Sequence, residues 1–233
     1  MPIINMVYKK KKWWKPWENT IAYYPLNWDA NDYSGNNRNL TANNITYQDI
    51  TSGEKSAYFN GSSSYCEIAS QSIWLQNFTM NLWVRKSRNT AQERFMSLYN
   101  PSPDYELWTY TSTANIWNVG STSYIWRWNS SSWQWGVDTW TANWTWMNIV
   151  LVWDSTWNKI YKDGVLQTLS YSRGNSSSHL TSSYSFTKIF LWRHNSWGNY
   201  FQWNLSNCIL ENKARTADEI LAYYNQTKWN YGL

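Results

Sequence analysis

Apolar and polar positions along this chain repeat with the period of strands, and the clearest case lies past its middle. In Trp146–Leu166, WMNIVLVWDSTWNKIYKDGVL, the residues Ile149, Leu151 and Trp153 alternate with Val150 and Val152. Both alternations are apolar and mostly β-branched or aromatic, which predicts a strand buried on both faces. A polar loop over Asp154–Asn158 follows, then a second strand from Lys159 to Lys162. Asp163-Gly164 next supplies turn residues, since glycine takes positive φ without Cβ strain, and a further strand starts at Val165. The segment reads as a β-meander in the middle of a sheet.

The same pattern recurs elsewhere. Ile21–Leu26 predicts a first strand, and Asn27–Asn39 a long turn rich in Asn, Asp and Gly. Ala57–Asn60 and Tyr65–Ile68 flank the turn Gly61-Ser62-Ser63-Ser64. Phe78, Met80, Leu82 and Val84 share one face of a strand over Phe78–Arg85. Phe95–Tyr99, Tyr105–Tyr110 and Ser123–Trp128 are short aromatic-rich strands, and Lys188–Trp192 and Leu205–Leu210 add two more. One helix is signalled, by the capping box Thr216-Ala217-Asp218-Glu219 followed by Ile220-Leu221-Ala222-Tyr223-Tyr224. Many short strands, long polar loops and one terminal helix predict an all-β fold, a two-sheet antiparallel jelly-roll sandwich with one short C-terminal helix. Residues 1–18 read as a basic flexible tail or linker, 19–228 as the domain and 229–233 as a C-terminal tail.

Composition narrows the setting. Charged residues make up 15% of the chain, below the usual quarter, as on an extracytoplasmic β protein. Much of the net charge of +5 sits in Lys9–Lys12 and Lys15, so the body is near neutral and a nucleic-acid footprint is not expected. No run reaches the length of a transmembrane helix, so membrane insertion is not expected either. No signal peptide is visible: Met1–Tyr8 is too short for an h-region and its basic residues come after it. Cys66 and Cys208 each sit in an apolar alternation and read as core thiols, with a disulfide between them as the alternative. Zinc is not expected without a CxxC pair or a histidine cluster.

Six stretches in order carry a resemblance: YYPLNWDANDYSGNN, AYFNGSSSYCEI, FTMNLWV, TWMNIVLVWDSTWNKIYKDGV, FLWRHNSWGNYFQWNLSNCIL and ARTADEILAYYN. Together they resemble a laminin-G-like jelly roll of the concanavalin A-like lectin/glucanase superfamily, over about residues 20–226. Such domains commonly bind carbohydrate or protein on extracellular proteins. Some also bind calcium. Where the family commonly carries an acidic pair in its last strand this chain has Ser206 and Asn207, which removes calcium ligands. Asp29, Asp32 and Asn36, in one oxygen-rich turn, are the remaining candidate calcium set. The same residue types also serve simply as turn formers, because Asx side chains bond nearby backbone.

Tryptophan usage departs from the resemblance. The chain holds 21 Trp and 9 Gly, an inversion of the normal ranking. Trp28, Trp157, Trp192 and Trp203 fall where the family usually has glycine, whereas Trp83 and Trp146 match positions of native tryptophan. UGA codons read as tryptophan in place of glycine would produce this pattern. Those four rings are then expected on turns or outward faces, and Trp83 and Trp146 inside. The rival reading is a tryptophan-rich surface for stacking on sugars.

Catalysis is not expected. Jelly-roll glucanases need two carboxylates flanking the scissile bond, and the nearest candidate, Asp104 and Glu106, lacks a third acidic neighbour and follows Pro101 and Pro103. His179 and His194 accompany no nucleophile motif. A binding platform is the stronger expectation: Tyr105, Trp108, Tyr110, Tyr124, Trp126 and Trp128 supply rings for sugar C–H faces. Alternate members of these strands would serve equally as core. The chain is thus expected to be an extracellular, cell-surface or virion binding module for a glycan or surface protein, the alternative being a spacer or decoration domain.

Overall fold

The computed structural model describes residues 18–69, 71–86, 93–101, 104–111, 121–125, 134–138, 145–154, 158–167, 184–191 and 202–233. The tail expected over residues 1–18 lies outside this set except for Glu18.

Strands β1 (Thr20–Tyr24), β2 (Thr41–Asn43), β3 (Thr46–Asp49), β4 (Lys55–Asn60), β5 (Tyr65–Ile68), β6 (Ile73–Leu75), β7 (Phe78–Lys86), β8 (Glu93–Pro101) and β9 (Asp104–Thr111) come first. They are followed by β10 (Ser121–Ile125), β11 (Gln134–Asp138), β12 (Trp146–Trp153), β13 (Asn158–Lys162), β14 (Val165–Leu166), β15 (Tyr184–Phe186), β16 (Lys188–Leu191) and β17 (Gln202–Glu211). The chain ends in α1 (Ala217–Thr227) and a 3-10 turn at Lys228–Tyr231. An eight-stranded antiparallel sheet runs β14-β13-β12-β7-β17-β4-β3, with β1 also on β17. A five-stranded sheet runs β2-β5-β16-β8-β9, and β6–β15 and β10–β11 are separate pairs.

The two large sheets enclose one apolar core. Phe78, Met80, Leu82 and Val84 of β7 meet Met147, Ile149, Leu151 and Trp153 of β12 in register, and all are buried. Across the sandwich Cys66, Phe95, Met96, Leu98, Ile189 and Leu191 complete the cluster. Ile68 is only half-buried and packs against the edge of this cluster. β12 is buried at every position, as its double apolar alternation requires. Its partner β13 turns into β14 at Asp163-Gly164, where both residues have positive φ, 51° and 80°. A Cβ on Gly164 would lie 2.9 Å from Leu221 Cδ1 of α1, so the turn is also where the helix comes down.

The first and last strands close the large sheet. Ala22, Tyr23 and Tyr24 pair antiparallel with Leu210, Ile209 and Cys208. β17 serves two neighbours on that side: Gln202–Leu205 pair with β4 and Cys208–Glu211 with β1. Between them its register against β7 slips, and Asn207 takes φ of 50°. That bulge is the point of changeover, since an extra residue bends a strand and raises its local twist. Leu26, two residues past β1, also has positive φ, 57°, while its side chain is buried.

The outer face of the large sheet is half apolar and half polar. Trp83, Trp146 and Ile209 lie on it under Tyr223 of α1 and Tyr231 of the 3-10 turn. Val150, Val152 and Tyr161 meet Ile220. Trp83 and Trp146 are buried, as expected, but by the C-terminal elements rather than by the opposite sheet. Within residues 229–233 the exposed Trp229 and Leu233 flank one inward ring. Tyr231 is buried, with its ring 3.9 Å from that of Trp83. α1 starts with the capping box read from the sequence: Thr216 Oγ1 accepts from Glu219 N–H, and Glu219 Oε2 accepts from Thr216 N–H. The buried Glu211–Arg215 pair, joined at 2.6 and 2.7 Å, ties the end of β17 to this helix start.

Candidate binding surfaces

The six aromatic residues picked from the sequence fall on three backbone segments. Tyr105, Trp108 and Tyr110 lie on β9, the edge strand of the five-stranded sheet. Their alternation divides them: Trp108 and Tyr110 share one phase, and Tyr105 falls in the other with Leu107. Tyr124 lies on β10, which runs beside β9. Trp126 and Trp128 lie outside the described residues, as do His179 and His194. Asp104 and Glu106 also lie on β9, in the phase of Trp108.

The Asx-rich loop between β1 and β2 is held by its own hydrogen bonds. Asp32 Oδ1 accepts from the N–H groups of Tyr23 and Ser34, and Oδ2 from Arg38 N–H and the Ser34 hydroxyl. Asp29 accepts from Asn31 N–H, the Asn31 side-chain amide and the Tyr33 hydroxyl. Asn36 turns its amide nitrogen inward, donating to the carbonyls of Thr20 and Ile21 and to Ser34 Oγ. A hard cation needs bare oxygens, and here N–H donors face both oxygens of Asp32. Asp29, Asp32 and Asn36 as arranged thus fit a turn better than a calcium site. Among the described residues no three His, Cys, Asp or Glu side chains gather as a metal-binding group.

Two rings stand open on this loop. Trp28 is 64% exposed, with Lys55 Nζ 5.0 Å from its ring, and Tyr33 is 53% exposed. Burial, and next the charge of Asp29, push the Tyr33 phenol up from its ordinary value. Trp28 thus meets the expectation of an outward ring. Trp203 overturns it: the ring is fully buried in the core, edge-on to Phe95 at 5.3 Å. Trp157 and Trp192 lie outside the described residues. Neither Trp28 nor Trp203 has positive φ, so the backbone at these two positions makes no demand for glycine.

Cys66 and Cys208 are free, buried thiols. Burial pushes the Cys66 thiol up to about 12 and raises Cys208 as well, so neither forms a thiolate near neutrality. They serve as small core hydrophobes.

One grouping escaped the sequence reading. Arg85, on the outer face of β7, donates from Nε and Nη2 to Asn204 Oδ1 at 3.3 and 3.0 Å. Its guanidinium also lies over the Trp146 ring, 5.4 Å from the centroid. Asn204 in turn donates to Gln48 Oε1 and Ser56 Oγ. The sequence signal was present in the Trp-Val-Arg alternation, which puts Arg85 on the face of Trp83. Only the pairing of β7 with both β12 and β17 gives it its neighbours.

No protein-family model and no curated protein sequence matches the chain. Solved structures do match. One is domain 4 of AbnA, a GH43 extracellular arabinanase from Geobacillus stearothermophilus, in complex with arabinotriose. It is 19% identical, with a TM-score of 0.64 over 88% of this chain and 97% of that one. The botulinum neurotoxin serotype G binding domain is 16% identical, with a TM-score of 0.63 over 88% of this chain and 50% of that one. The receptor-binding domain of botulinum neurotoxin D is 13% identical, with a TM-score of 0.63 over 89% and 52%. This chain is a jelly-roll β-sandwich. It spans about half the length of the toxin domains it matches. Among the described residues no helix is long and apolar enough to cross a membrane.

Proposed function

We propose that the chain is a non-catalytic, laminin-G-like module that binds carbohydrate as part of a larger extracellular, cell-surface or virion protein. The observation that carries this reading is its likeness, along 97% of the other chain, to an arabinanase domain in complex with arabinotriose. A further neighbour is a botulinum toxin whose cell entry depends on ganglioside. Two features of the chain support the same class. Trp108 and Tyr110 share a phase of an edge strand, where aromatic side chains can gather beside polar groups. Trp28 and Tyr33 are open rings flanking the Asp29 carboxylate, a pairing of stacking surface and hydrogen-bond acceptor suited to a sugar.

The test is a broad glycan array probed with the whole chain, followed by calorimetry on any hit. Saturable binding that falls tenfold or more in Trp108→Ala or Trp28→Ala, with an unchanged melting temperature, is the expected result. Silence across the array would leave the chain as a spacer or decoration domain.

A further inference from the structure

The aromatic residues on the outer face of the large sheet form a ladder that ends in a cation. Tyr224 stacks on Trp83 at 5.8 Å, Trp83 on Tyr231 at 3.9 Å, and Tyr231 leans on Trp146 at 4.8 Å. Arg85 covers the next face of Trp146. The guanidinium is half-buried, and burial lowers its pKa from the ordinary value. A cation removed from water is ordinarily matched by a carboxylate. Arg85 has none among the described residues: its partners are a neutral amide oxygen and an indole ring. The carboxylates of the neighbouring strands are engaged elsewhere. Asp49 pairs with Lys55, Asp163 accepts from Asn148 N–H, and Glu211 pairs with Arg215.

The guanidinium is also held in place. Asn204 is buried, and its amide is oriented by Gln48 and Ser56 before it meets Arg85. Holding Asn204 uses one N–H of Nε and one of Nη2, out of five in the planar fork. One N–H of Nη1 and the second of Nη2 lie along one edge, which can take a carboxylate bidentately. Lysine, a point charge, would not supply that fork.

We propose that Arg85 is an anion-recognition site for an acidic saccharide, whose carboxylate it receives on its open edge beside the indole of Trp146. This rests on the carbohydrate-binding reading above and names its ligand class. A sulfate ester offers the same charge from a different source, but its tetrahedral oxygens match the flat fork less well.

The test uses the whole chain and matched ligand pairs: trigalacturonate against its methyl ester, and 3′-sialyllactose against 3′-sulfolactose and lactose. At least one carboxylate sugar is expected to bind roughly thirtyfold or more tightly than its neutral partner, with affinity falling as salt is added. Arg85→Gln should abolish that preference while keeping the neutral sugar's affinity, and Arg85→Lys should keep part of the charge effect but lose the margin of carboxylate over sulfate. Neutral sugars bound as tightly as acidic ones would overturn the Arg85 proposal and leave the carbohydrate reading standing. Absence of binding to any sugar would overturn both. Equal loss of neutral and acidic binding in Arg85→Gln, with a lowered melting temperature, would show that Arg85 only braces the sheet. If Arg85→Gln does not fold, Arg85→Lys and the salt dependence of the unmodified chain decide the question.

Discussion

The side-chain amide of Asn207 donates a 2.6 Å hydrogen bond to the hydroxyl of Tyr231, tying the bulge in β17 to the last turn of the chain. The Tyr231 hydroxyl in turn donates to Ser206 Oγ at 3.0 Å, and Tyr23 donates to Asn207 Oδ1 at 2.7 Å. Ser206 and Asn207 are therefore the socket of a C-terminal lock. Tyr231→Phe keeps the ring on Trp83 but strands the Asn207 amide. It should cost about 1–3 kcal/mol in urea denaturation. Tyr231→Ala, which also opens the aromatic cluster, should cost about 3–5 kcal/mol.

Trp203 and Trp28 should respond in opposite ways to glycine. Trp203 is sealed in the core, so Trp203→Gly should destabilise by at least about 3–5 kcal/mol. Trp28 is open to solvent, and Trp28→Gly should stay within about 0.5 kcal/mol. Recoding of UGA remains a proposal for Trp28, Trp157 and Trp192, and the gene's codons test it. UGG at all three sinks it, and UGA at Trp203 would show that burial is no guide to the encoded residue.

Asp32 should matter to stability without calcium. Asp32→Ala removes the acceptor of four donors, three of them backbone N–H groups of half-buried or buried residues, and should cost about 3 kcal/mol. Thermal melts in calcium and in chelator should coincide. A calcium-dependent rise that disappears in Asp32→Ala would show that the loop opens to take the ion.

The helix start gives a pH prediction. Burial pushes Glu219 up, but hydrogen bonds from Lys213 and from Thr216 N–H outweigh it, and its pKa ends below the ordinary 4.5. A carboxylate lowered in the folded state stabilises fully above its unfolded value and loses that contribution as pH falls through the folded one. Acid titration should therefore weaken the domain below about pH 4.5 in part through this group. Glu219→Gln should flatten that component. Thr216→Ala should cost about 1 kcal/mol at neutral pH.

Local patterning was enough for the strands whose two faces differ or are both apolar. Phe78–Val84 and Ile149–Trp153 carry their burial in their own spacing, and Asp163-Gly164 and the Thr216 capping box carry their turn and helix start. The short strands β2, β3, β6 and β15 were missed because three or four residues hold too little period to read; their partners define them. Tertiary structure alone decided the rest. Trp203 looked like a misplaced turn residue, yet pairing with Phe59 on β4 turns it inward against Phe95. Tyr231 looked like part of a tail until the outer face of β7, β12 and β17 offered Trp83 and Asn207. Arg85 gains meaning only where Trp146 and Asn204, 61 and 119 residues away in sequence, arrive on either side of it. Periodicity records which face a residue occupies; what waits on that face is set by strand order, which no local pattern contains.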